Sequence, residues 1–222
     1  MGVSGPTAQA RKEATRDAIL GAAFERFTLD GYRQTSMDDI ATATGISRAA
    51  VYLHFANKEQ IFRTLSERIQ DRHLSEAEEA VALDAPVEER LRRVLKAKLD
   101  TFMEAVQSSP HGAELLDENS RIAGDISQAS RTRFLRAVKR LVEVAVERGE
   151  LAPERVGVSP AAAAEIVLDW TRGFEADAGS YSAHRYRRRV QDATRLLIAG
   201  LGGKPTNSRP EGTPRPNEAE PR

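Results

Sequence analysis

Apolar residues recur at spacings of three and four along most of the chain, the repeat of one buried helix face. From Arg11 the positions Ile19, Leu20, Ala23, Phe24 and Phe27 form one stripe, and Asp30-Gly31 ends it. Glycine suits that end because it accepts the left-handed backbone that closes helices. The stretch TSMDDIATATG predicts a short helix next. Ser36 and Asp39 make a capping-box start, a hydroxyl for a free N–H and a carboxylate near the positive end of the dipole. Met37, Ile40, Ala41 and Thr44 share its inner face, and Gly45 stops it. Ser47 caps a further helix that turns Val51 and Phe55 inward. Asn57 opens a longer one with Ile61, Phe62, Leu65 and Ile69 on its buried side.

Beyond Pro86, which suits a first helical turn, Val87, Leu91, Val94, Leu95, Leu99, Phe102 and Val106 give another stripe. Ser109-Pro110-His111-Gly112 breaks it. A shorter helix through Leu115 and Leu116 follows, then a long one opened by Gly124-Asp125 and closed by Gly149 and Pro153. Ser159-Pro160 starts a helix carrying Ile166, Val167, Trp170 and Phe174, and a last helix carries Tyr186, Val190, Ala193, Leu197 and Leu201. No segment reads as a strand. The expectation is an all-α chain of about nine helices. It divides into a flexible arm over 1–10, a domain of short helices over 11–56, a larger helical domain over 57–203, and a disordered tail over 204–222. The tail is rich in proline and charge and lacks aromatics.

Composition narrows the class without naming a partner. Hydrophobic residues make up 40% and charged residues 30%, ordinary for a helix-rich soluble chain, and the formal net charge is zero. Any nucleic-acid surface must therefore come from local charge placement. There is no cysteine, so disulfides and thiolate chemistry are excluded. No apolar leader opens the sequence and no apolar run reaches the length of a membrane span. A cytoplasmic protein with no membrane partner is expected.

The segment from Ala41 to Lys58 changes the picture. A helix-turn-helix needs a small residue where its helices cross, a tight turn, and an apolar anchor for the second helix. Ala41, Gly45 and Val51 supply these in order. With Val51 inward, Arg48, Ala49 and Ala50 face outward, and small side chains let the backbone approach base edges. Arg48 has donors for guanine O6 and N7, or for a phosphate. Tyr52, His54 and Lys58 are placed as phosphate donors, and the capped helix starts at Ser36 and Asn57 offer N–H groups of the kind that bind phosphate. Phe55 reads as core. Such helix pairs also recur as scaffolding, and two alternatives stand: a helical DNA-binding regulator with no small-molecule ligand, and an interaction protein without DNA affinity.

The run from Thr35 to Phe62, TSMDDIATATGISRAAVYLHFANKEQIF, closely resembles the DNA-binding signature of TetR-family transcriptional regulators. The Gly-Ile-Ser turn, Tyr52, His54-Phe55 and Lys58 all match at the family's spacing. Ala49 stands where the family often has glycine, and Leu53 where polar or aromatic residues are common. The resemblance implies a homodimeric repressor released from a palindromic double-stranded DNA operator by a small-molecule effector. It implies DNA contacts at Thr35, Ser36, Ser47, Arg48, Ala49, Ala50, Tyr52, His54 and Lys58. It also implies a helix-turn-helix DNA-binding domain over 11–56, a helical ligand-binding and dimerisation domain over 57–203, and a dimer built on the last two helices, where Ile166, Trp170, Phe174, Val190, Leu197 and Leu201 offer apolar faces.

His73, Met103, His111, Asn119, Phe134 and Trp170 are candidates for lining an effector cavity, although aromatic and Met residues at helical spacing more often simply pack. The four histidines are scattered without metal-ligand spacing, so neither metal nor cofactor is expected. The run Arg185-Tyr186-Arg187-Arg188-Arg189 reads as a solvated or dimer-rim face. No nucleophile elbow, phosphate loop or dinucleotide fingerprint is present, and no enzymatic activity is expected.

Overall fold

The helices begin where side chains can cap them. The computed structural model describes the backbone of residues 7–107, 109–177 and 182–204, and their side chains apart from 100–107, 174–177 and 183. These residues form eight α-helices and one 3-10 turn, with no strand among them. α1 (Ala8–Asp30) starts earlier than Arg11 because the Thr7 hydroxyl accepts the Ala10 N–H at 3.2 Å. Ala8, Gln9 and Ala10, expected in the flexible arm, are therefore helical; residues 1–6 lie outside the described residues.

α2 (Met37–Thr44) carries the full reciprocal capping box between Ser36 and Asp39. It ends at Gly45, whose φ of 74° is left-handed, with the Ile46 N–H returning to the Ala41 carbonyl at 3.1 Å. α3 (Arg48–Tyr52) is capped by Ser47 and α4 (Lys58–Ala82) by Asn57. α5 (Val87–Gln107) begins one residue after Pro86, whose carbonyl accepts the first helical bond, so this proline sits before the helix and not in its first turn.

α6 (Gly112–Glu147) joins the two helices expected on either side of Gly124 into one run, kinked at Ala123 (φ −128°, ψ 23°). A 3-10 turn (Pro153–Val156) leads to α7 (Pro160–Asp177), started by Ser159, and α8 (Ala183–Gly200), capped by Ser182, completes the fold. Residues 205–222 of the expected tail are outside the described residues.

Two separate apolar cores result. The N-terminal head closes around Ile19, Leu20, Phe27, Tyr32, Ile40, Val51 and Phe55, and takes Ile61 and Phe62 from the start of α4. Phe27, Tyr32 and Phe62 stack as a trio of tilted and edge-on rings, 5.1 to 5.8 Å between centroids. The larger body closes around the aliphatic stripes of α5, α6, α7 and α8, together with Leu74, Ala77 and Ala80 from the other end of α4. α4 thus belongs to both cores. Ile122, at the kink of α6, reaches back into the head.

Candidate nucleic-acid interface

α2 and α3 cross with Val51 fully buried between them, and this anchor decides what α3 presents to solvent. Arg48, Ala49, Tyr52 and Leu53 lie exposed along one edge, Leu53 at 82%. Ala50 is half-buried. The Ser47 hydroxyl accepts the Ala50 N–H at 3.1 Å and fixes how α3 leaves the turn. Arg48 is held: its Nη1 donates to Asp38 Oδ2 at 2.7 Å and its Nη2 to the Tyr52 hydroxyl at 3.4 Å.

The other expected DNA contacts divide into two groups. Ser36 and Ser47 are exposed, and His54 is half-buried with its carbonyl accepting Arg16 Nη1 at 3.2 Å. Thr35 and Lys58 are turned inward instead. The Thr35 hydroxyl donates to the Gly31 carbonyl at 2.7 Å, and its side chain is buried. Lys58 Nζ donates to the carbonyls of Tyr32 and Thr35, both at 2.6 Å, and stands 4.4 Å from the Tyr32 ring centre. Burial pulls the Lys58 pKa below its ordinary value, against the opposing fields of Glu118, Glu114 and Asp39. The ammonium therefore locks the α1–α2 loop. The start of α2 is also less receptive to phosphate than its cap suggests, because Asp38 and Asp39 both occupy its first turn.

Residues 19–65 match the family model for bacterial regulatory proteins of the tetR family. The chain is 31% identical over 149 residues to the HTH-type transcriptional regulator SrpR of Pseudomonas putida, covering 64% of this chain and 66% of that protein. It is 28% identical over 145 residues to the HTH-type transcriptional repressor ComR of Escherichia coli, covering 62% and 68%. The match thus spans about two thirds of each curated relative. Among solved structures, the TetR family transcriptional regulator PfmR of Thermus thermophilus aligns with a TM-score of 0.55 and 26% identity, over 89% of this chain and 98% of that one. The chain belongs to the TetR family. It is an all-α helix-turn-helix transcriptional regulator.

In this TetR-family fold the head is tied to the body through α6. Glu118 is buried there, its carboxylate bonded to Arg33 at 2.9 Å and to Arg121 at 2.7 Å. Burial pushes its pKa up, but hydrogen bonds from Arg121 and Arg33 outweigh that and hold it below the ordinary value. Glu114 accepts the Arg33 backbone N–H at 2.7 Å, and Ser109 Oγ donates to the Thr28 carbonyl at 2.7 Å. Gly31, with φ of 87°, lies so close that a Cβ there would meet Glu114 Oε2 at 2.8 Å. Arg63 of α4 donates to the Ile122 carbonyl at the kink and pairs with Asp125 through both nitrogens, at 2.7 and 2.9 Å. Sequence periodicity gives no sign of these ties, since they join residues far apart in the chain.

The five effector-cavity candidates with described side chains do not all gather in one place. His111 precedes α6 at the head–body junction, 3.6 Å from Glu114, and Asn119 accepts from Ser66 Oγ at 3.0 Å nearer the kink. His73 is buried on α4, Phe134 is fully buried in the body core, and Trp170 packs against that core. The Met103 side chain is outside the described side chains. Two half-open surface grooves, of about 270 and 350 Å³, are lined by other residues, including Arg92 and Tyr186 in one and Arg133 and Arg136 in the other. Of the dimer candidates, Val190 and Leu201 point into the protomer's own core, and Leu197 and Trp170 pack beside it. Ile166 is 52% exposed, as is Leu196 at 74%, a residue that the stripe through Val190 and Leu197 overlooked. The Phe174 side chain is outside those described.

Proposed function

We propose that this regulator acts in the cytoplasm as a homodimeric repressor, reading a palindromic operator through α3 and released from it by a small-molecule effector. The observation that carries the reading is the exposed edge of α3, with Val51 seated beneath Arg48, Ala49, Tyr52 and Leu53. Of the nine expected DNA contacts, Ser36, Ser47, Arg48, Ala49, Ala50, Tyr52 and His54 remain as the proposed interface. Thr35 and Lys58 serve it indirectly, by fixing the loop before α2.

A five-residue helix reads few bases, and a second copy related by a twofold axis adds another about 34 Å away, one helical turn of DNA. The exposed Ile166 of α7 and Leu196 of α8 support a dimer built on those helices. The name of ComR supports repression. Effector release works by linkage: a ligand that favours a head spacing unsuited to the operator must bind more weakly when operator is present, by the same factor. A second reading, regulation without a small-molecule effector, is favoured by Phe134, a cavity candidate that lies fully buried within the body core. Native mass spectrometry of full-length protein from its host separates the two, since only the first expects a retained small molecule.

The reading is tested by mobility shift at two salt concentrations on an enriched duplex, one that the protein selects from a random-sequence pool. Wild type should bind with strong salt dependence, and Arg48→Ala should lose about 1–3 kcal/mol. Leu196→Asp should yield monomers in sedimentation and weaken binding. Salt-insensitive association, or equal binding by Arg48→Ala, would count against it.

A further inference from the structure

We propose that Asp38 is a positioning residue for DNA sequence recognition, holding the Arg48 guanidinium edge-on toward a base pair and away from phosphates. The proposal rests on the DNA-binding reading of α3. Asp38 lies in the first turn of α2 and Arg48 begins α3, so their 2.7 Å bond spans the two helices of the helix-turn-helix. On the other side, the Tyr52 hydroxyl accepts from Nη2 at 3.4 Å, and the guanidinium carbon stands 5.6 Å from the Tyr52 ring centre.

Stability does not account for this clasp. Both charged side chains are 58% exposed, and ion pairs of that kind contribute little to folding. Its consequence is orientation. Guanidinium carries five donors in a fixed plane, and Asp38 and Tyr52 occupy one nitrogen each, leaving further N–H groups for an acceptor pair such as guanine O6 and N7. A side chain already ordered loses less freedom on contact. A free arginine at the same place would swing to the nearest phosphate of any sequence. The Asp38 carboxylate opposes that movement twice, by holding Nη1 and by repelling phosphate.

The test uses full-length wild type, Asp38→Asn, Arg48→Ala and the double variant. Each is titrated by fluorescence anisotropy against an enriched duplex and a scrambled one, with thermal melting as the folding control. The expected result is a fall of about tenfold in the enriched-to-scrambled affinity ratio for Asp38→Asn, the scrambled duplex gaining and the enriched one losing. In the Arg48→Ala background the same substitution should leave the ratio unchanged. An unaltered ratio in Asp38→Asn, with Arg48→Ala still defective, overturns the positioning role and spares the DNA-binding reading. An equal loss in both backgrounds overturns it too, assigning Asp38 to the start of α2. Failure of wild type to distinguish the two duplexes overturns both.

Discussion

The head closes on three aromatic rings and four capped helix starts, whereas the body closes on long aliphatic stripes and a buried ion pair. In the head, Thr7, Ser36, Ser47 and Asn57 each accept the N–H three residues on. Every helix there begins at a fixed residue, and the turn at Gly45 fixes the angle between α2 and α3. Local chemistry thus sets where α2 and α3 begin and end, and the Lys58 clamp fixes the loop that leads into them. In the body, α6 starts at His111 without a side-chain cap and runs through a kink, so its course depends on what it packs against. The difference is one of degree: caps set where the short helices of the head begin and Lys58 then ties their loop across 23 residues, whereas the course of α6 rests on its packing against distant stripes.

The largest break in this contrast should come from the body. Arg90 is fully buried and ion-paired with Glu150, which keeps a quarter of its side chain in water. Glu150→Ala leaves that guanidinium uncompensated and should cost about 3 kcal/mol in urea unfolding. Arg90→Met with Glu150→Gln should recover much of the loss.

In the head, Lys58→Met should cost about 2 kcal/mol, because the Tyr32 and Thr35 carbonyls lose a charged donor. A phosphate-contacting lysine would instead leave stability unchanged and lower the salt slope of DNA binding by about one. Ser36→Ala removes half of the capping box and should cost about 1 kcal/mol.

The smallest effect lies at the junction. Arg63 and nearby backbone N–H groups lower the exposed Asp125 carboxyl from its ordinary 3.8 to about 2. A depressed carboxyl stabilises the fold above its unfolded pKa and loses that contribution as protons bind. Wild type should therefore exceed Asp125→Asn in stability above about pH 4, and the two should converge toward pH 2. Acid titrations followed by circular dichroism would show the crossing region.

Legibility in the sequence follows the same division. Ser36, Gly45, Ser47, Val51 and Asn57 act on neighbours within a few residues, so their spacing alone places α2, α3 and the start of α4. Lys58 was legible as a cation near the reading edge but not as a clamp, because its acceptors are backbone carbonyls, which carry no residue signature. Asp38 was hidden for a related reason: an acidic first-turn residue already has a local explanation at a helix start. In α8, the stripe through Val190 and Leu201 packs in the protomer's own core and the exposed Leu196 stands off it, because periodicity shows an apolar face but not which partner covers it. The effector candidates scattered because a stripe shows that a residue faces inward, not which neighbour it meets.

The most direct measurement is selection of duplexes from a random-sequence pool by the full-length chain, followed by sequencing of the bound fraction. The account predicts enrichment of one inverted repeat, its half-sites centred about 10 base pairs or a multiple apart. A bound fraction with no enriched sequence would contradict it and favour a helical interaction protein whose helix-turn-helix no longer reads DNA.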